Sequence, residues 1–178
     1  MWQDILGGLL DKNIEGLPLN DHYAKLAETL KPAMERNGDY NEFFEMNYHV
    51  ANTLAMKAEM GLKLTAAYKS GDKAELKKYA DEYLPELKNR VIALRAVHMS
   101  HWYDIYKSFG WDIMDMRYGS LITRIDSAVT IINMYLDGKL PTIEELDEER
   151  LLFNGKEGIL RLNHYNKFVS SSRIAPLA

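Results

Sequence analysis

His98, His101 and Asp104 are spaced by three. On a helix, H-x-x-H-x-x-D sets three possible metal ligands on roughly one face, and helical bundles build metal sites this way. Di-iron bundles need Glu and E-x-x-H pairs on facing helices. No E-x-x-H occurs in the chain, and Glu45 and His49 are four apart. His98 also falls on an apolar seam, where a hydrogen-bonded core histidine is the commoner arrangement. No metal and no cofactor is therefore expected, with His98, His101 and Asp104 kept as the alternative ligand set.

Asp147 and Glu148 are adjacent carboxylates, and paired carboxylates hydrolyse glycosides. Here they sit in E-E-L-D-E-E-R. Neighbouring helical residues point about 100° apart, and such a run reads as a solvated face. No catalytic residue is assigned. Asp112, Asp115, Arg117, Arg124 and Asp126 form a third group. They read either as surface ion pairs, each contributing about 0–1 kcal/mol, or as a polar rim facing another domain or subunit. Arg117 beside Phe109 and Trp111 has the composition interfaces favour. The chain has no phosphate-binding glycine loop, nucleophile elbow or H-E-x-x-H.

The elements that must position these residues centre on residues 89–135. Met114, Tyr118, Leu121, Ile125, Ala128, Ile132 and Tyr135 repeat at steps of four and three, an a/d seam. Leu87, Val91, Leu94, His98, Trp102 and Ile105 follow nearly the same steps. Ser108-Phe109-Gly110 separates the two stripes, so they read as an antiparallel helical hairpin. A two-helix hairpin leaves half of each stripe wet, and the rest of the chain must cover it.

At 178 residues the chain can bury one real core. Its net charge of −4 offers no basic footprint for nucleic acid. Cysteine is absent, which excludes disulfides and thiolate metal sites. No apolar run approaches the roughly 20 residues of a membrane span. The start, M-W-Q-D-I-L, lacks the basic region of a signal peptide, so a cytoplasmic location is expected.

Residues 1–19 read as an arm carrying Ile5, Leu6, Leu9 and Leu10 around Gly7-Gly8. It either packs on the bundle or once packed on a missing domain. A first helix should start at Asn20 or Asp21, bend or shorten at Pro32 and stop at Asn37-Gly38. A second should span residues 40–68, with Ala51, Ala55, Ala58 and Gly61 allowing close helix approach. A third should open with an Asp72–Glu75 capping box, kink at Pro85 and reach Lys107. A fourth should run from Asp112 to Leu136. A short acidic helix capped by Thr142 follows, and the tail from Leu160 to Ala178 reads as an extended strap. The fold expected is all-α, an antiparallel bundle of about four long helices over residues 20–178.

Several of these stretches resemble a known family. W-x-D-x-L-x-G-L-x-D from Trp2 to Asp11, H-x-x-x-W at His98 and Trp102, F-G-W-D-I-M-D-M-R-Y-G-S-L-I-T-R-I-D-S-A from Phe109 to Ala128, then Y-L-D-G, I-E-E-L and F-V-S-S-S-R-I are similar, in order, to the C-terminal portion of bacterial family 20 glycoside hydrolases, the exo-acting β-N-acetylhexosaminidases. That resemblance implies a catalytic (β/α)₈ barrel ahead of a helical domain, with residues 1–19 as the end of the barrel. A barrel needs about 250 residues, more than this chain holds. The family's general acid lies in H-x-G-x-D-E, which is absent here. The resemblance implies that Trp2, and less directly Asp4, line the substrate site of the parent enzyme. It implies that the chain alone is inactive and that its partner is the barrel of the same protein. A homodimer is the other expected partner, and Ile5, Leu6, Leu9, Leu10, Phe109, Trp111 and Arg117 are expected to meet another domain or a second copy of the chain.

Overall fold

The computed structural model describes residues 1–155 and 157. The expected strap over residues 160–178 lies outside them. Among the described residues the fold is all-α, with four long helices. These are α2 (Leu19–Leu30), α4 (Asn41–Lys57), α7 (Leu84–Ile105) and α8 (Trp111–Leu136). Shorter pieces join or flank them: α1 (Asp11–Ile14), α3 (Ala33–Arg36), α5 (Met60–Lys69), α6 (Lys73–Lys78) and α9 (Glu144–Asp147). Among the described residues no helix is long and apolar enough to cross a membrane.

Packing runs from α2 to α4, from α4 to α7 and from α7 to α8. The α7–α8 pair is the expected antiparallel hairpin. Its cross-links show the direction: Arg95 pairs with Asp115 near the turn and Lys88 with Asp126 further from it. The α8 seam is buried at Tyr118, Leu121, Ile125, Ala128 and Ile132, against Leu87, Val91 and Leu94 of α7. The α7 stripe ends early, however. Ile105 is exposed because the last turn of α7 runs past the start of its partner. The hairpin turn works because Gly110 takes φ +94°, open to glycine and strained for other residues.

One helix expected as continuous is broken, and another widens where its proline was expected to act. The second divides at Ala58-Glu59 into α4 and α5. There the Asn20 amide donates to the Glu59 carboxylate at 2.9 Å, and the Glu59 amide donates to Asn20 Oδ1 at 3.1 Å. This clasp uses Asn20 across the bundle, so Asn20 lies inside α2 and does not cap it. The third helix changes register before Pro85. Residues Tyr79–Tyr83 form a π turn in which the Leu84 amide donates to the Tyr79 carbonyl, five residues back. Proline lacks the amide that the Asp81 carbonyl would need and its ring crowds that carbonyl, so the preceding turn widens at the expected place. Asp72 caps α6 as expected, accepting the Glu75 amide at 2.9 Å. Thr142 does not cap α9. The flanking residue is Ile143, which is buried and gives its amide to the Tyr68 hydroxyl at 3.0 Å.

Candidate functional site

The arm that precedes α1 is built by Asp4. Its Oδ1 accepts the amides of Leu6 at 3.0 Å and Gly7 at 2.7 Å, folding residues 4–7 into a tight turn. That turn drives Ile5 and Leu6 into the core beside Met60 and Leu64. It leaves Trp2 at the surface, 37% exposed. The Trp2 ring meets Tyr118 edge-on at 4.9 Å between centroids, and the Arg117 guanidinium stands 5.8 Å from the Trp2 ring centre. Between the arm and α8 lies an open cleft of about 450 Å³, lined by Trp2, Asp4, Met116, Arg117, Ser120 and Arg124 among others.

Arg124 ties the arm to the bundle. Its Nε and Nη2 donate to the two Asp4 oxygens at 2.6 and 3.1 Å, and Nη2 also donates to Glu145 at 2.5 Å. Burial pushes the Asp4 carboxyl up, but the Arg124 fork and the Gly7 and Leu6 amides outweigh it, leaving Asp4 below the ordinary carboxylate value. Asp4 is thus an acceptor at neutral pH and cannot serve as an acid. The bonds to Asp4, opposed by burial, raise Arg124 further above its usual range. Glu145 was expected on a solvated face. Its pairing with Arg124 draws it inward, while Asp147 and Glu148 remain exposed.

A second, buried polar group lies behind the arm. Asp11 is 1% exposed. It accepts from Gln3 Nε2, and its Oδ2 faces Arg150 Nε at 3.5 Å. Arg150 also donates to the carbonyls of Leu6 and Glu145 at 2.5 and 3.1 Å. Lys57 donates to the Gln3 carbonyl at 2.6 Å. Burial pulls the Lys57 ammonium down to about 8, against the pull of Asp4 and Asp11. Burial raises Asp11 despite Gln3, Arg150 and Lys57. These residues escaped sequence reading because no local pattern joins positions 3, 11, 57 and 150. A buried carboxylate with a raised value can suggest an acid, but Asp11 is sealed behind the arm and away from the cleft.

The histidine set does not converge. His98 Nδ1 lies 3.0 Å from the Tyr118 hydroxyl, inside an aromatic cluster with Trp102 and Trp111. Burial lowers its pKa, with His101 adding to the effect. His101 stands beside Phe43 and Asp104 is exposed. Among the described residues no three His, Cys, Asp or Glu side chains could hold a metal ion. His98 therefore acts as a core partner to Tyr118.

The apolar residues assigned to an interface part company. Ile5, Leu6 and Trp111 are taken into this chain's own core, Trp111 at 3% exposure. They leave no surface for a partner, because the arm's turn and the hairpin turn fold them inward. Leu10 is half-buried. Leu9 is exposed, Phe109 is 85% exposed, and Tyr103, Ile105 and Tyr106 are exposed as well.

Chemically, the cleft offers an aromatic face, a hydroxyl and charged groups already engaged with one another. Its own carboxylate, ionised and held by Arg124, is unsuited to proton donation. The family model described as Glycoside Hydrolase 20C C-terminal domain matches residues 1–163. No curated protein matches the chain.

Proposed function

Since the chain belongs to the glycoside hydrolase 20C C-terminal domain family, we propose that it is the non-catalytic helical end of a β-N-acetylhexosaminidase, bracing the catalytic barrel and lending Trp2 to its sugar site. The observation that carries this reading is the split character of the arm. Ile5 and Leu6 are core residues of the bundle, while Trp2, three residues earlier, faces an open cleft. A barrel strand running into this arm would be anchored to the bundle over a few residues. An exposed indole is well suited to stacking on a sugar ring, and Asp4 beside it is an ionised acceptor for hydroxyls.

Substrate-assisted hydrolysis needs a protonated Glu at the leaving oxygen and an Asp orienting the acetamido group. The cleft is lined by no Glu, and its Asp4 is held by Arg124, so the barrel supplies both. The test compares three proteins on an aryl β-N-acetylglucosaminide: the intact polypeptide, the 178-residue chain, and the intact polypeptide carrying Trp2→Leu. Turnover by the intact protein, none by the chain alone, and a raised KM in the Trp2 variant are expected. Turnover by the purified chain that disappears in Glu148→Gln would sink the proposal. The exposed aromatic residues around Phe109 support a second contact surface, for the barrel or for another copy of the chain.

A further inference from the structure

We infer that Arg124 is a positioning residue for Trp2, setting the indole at the sugar site from the middle of α8. The inference rests on the sugar-lining reading of Trp2. The Trp2 ring meets Tyr118 edge-on and has the Arg117 guanidinium over it. Its backbone is held at Gln3, whose carbonyl accepts from Lys57, and again one residue further on at Asp4. Asp4 uses Oδ1 to close the turn onto the Leu6 and Gly7 amides, and both oxygens are gripped by the Arg124 fork. Arg124 is in turn held by Glu145 of α9, whose Leu146 is fully buried. The chain of contacts therefore runs from a rigid helix and a packed anchor, through two charged pairs, to the turn that carries the indole.

The fork matters as well as the charge. A guanidinium reaching both carboxylate oxygens fixes the plane of the carboxylate, and with it the direction in which Oδ1 meets the two amides. Lysine at this position would keep the charge and lose the plane. Trp2 would then rock against Tyr118. A misplacement of about 1 Å at a substrate-positioning group costs up to roughly 100-fold.

The test has two arms. In the first, the 178-residue chain is labelled with 5-fluorotryptophan, giving fluorine signals from Trp2, Trp102 and Trp111, with Trp2 assigned from Trp2→Leu. Arg124→Gln should shift or broaden the Trp2 signal and leave the other two in place, which also shows that the fold survives. Arg124→Lys should do the same to a smaller degree. In the second, the intact polypeptide is assayed on an aryl β-N-acetylglucosaminide. Arg124→Gln should raise KM about 10- to 100-fold with kcat far less affected, and adding Trp2→Leu should cost little more. A Trp2 signal unmoved in Arg124→Gln overturns the positioning role. A signal that moves while Trp2→Leu leaves KM unchanged overturns the sugar-lining reading instead, and with it any part for Arg124 in the reaction.

Discussion

Gly61 sits near the start of α5, where helix propensity alone favours alanine by up to about 1 kcal/mol. The structure reverses that sign. A Cβ on Gly61 would lie 2.9 Å from Asp11 Oδ2, 3.1 Å from Asp11 Oδ1 and 3.1 Å from the Ile5 carbonyl oxygen. Neither neighbour can give way cheaply. Ile5 is held in the core and Asp11 is buried beside Arg150. Forcing a methyl into such a site costs about 1–3 kcal/mol, so Gly61→Ala should lose about 1–2 kcal/mol net. For a chain of this size each kcal/mol moves Tm by about 2–4 °C, giving a fall of roughly 2–8 °C. Gly119 is the control. It is also helical, on the open face of α8, with nothing within 4 Å of its ideal Cβ. Gly119→Ala should gain up to about 1 kcal/mol. Calorimetry reads both, and amide exchange adds a local measure: protection at Leu6 and Gly7 should fall in Gly61→Ala alone. A Tm that rises for Gly61→Ala as it does for Gly119→Ala would refute the close approach of arm and α5.

Ile125 is 0% exposed on the α8 seam. Ile125→Asp should cost more than about 4 kcal/mol and abolish the cooperative melt, and near-parental helicity and Tm would show the seam is wrong. Lys57 supplies a pH test. Its ammonium is pulled from 10.5 to about 8, so between those values the unfolded chain holds a proton the folded chain has released. Stability from this group therefore rises with pH across that window, by about 3 kcal/mol in full. Urea titrations should show wild type gaining on Lys57→Met from pH 8 to 10.5, and a constant difference would contradict it. Phe109→Glu should reduce self-association in sedimentation runs on the chain, and a wild type that is monomeric at high concentration would rule out a second copy at that surface.

Periodicity made the hairpin readable. Steps of four and three from Met114 to Tyr135 depend on side chains that share one helix face, and Tyr118, Leu121, Ile125, Ala128 and Ile132 are buried where those steps put them. The break at Glu59 was not readable, because a distant partner causes it, whereas Pro85 announced the other irregularity. Glu59 ends a helical run by bonding Asn20, and Tyr79–Tyr83 widens to admit Pro85. The cleft was half readable. Trp2 and Asp4 stand out by resemblance, and Arg124 by its place in a charged group. Their junction joins positions 120 residues apart, and no spacing rule encodes that. Asp11 with Arg150 is the same case, a polar pair assembled by the fold alone.

The arm's clamps have a consequence for the order of synthesis. Asp4 and Leu6 leave the ribosome well before Arg124, Glu145 and Arg150, which hold them in place. At about 5–20 residues per second, the arm waits roughly 7–30 s for its final partner. A barrel translated ahead of the arm would spend that interval with its closing segment untethered, so completion of the bundle would be the event that seats Trp2. Slow translation or early termination within α8 would then leave a barrel that is fully made and carries its indole loose.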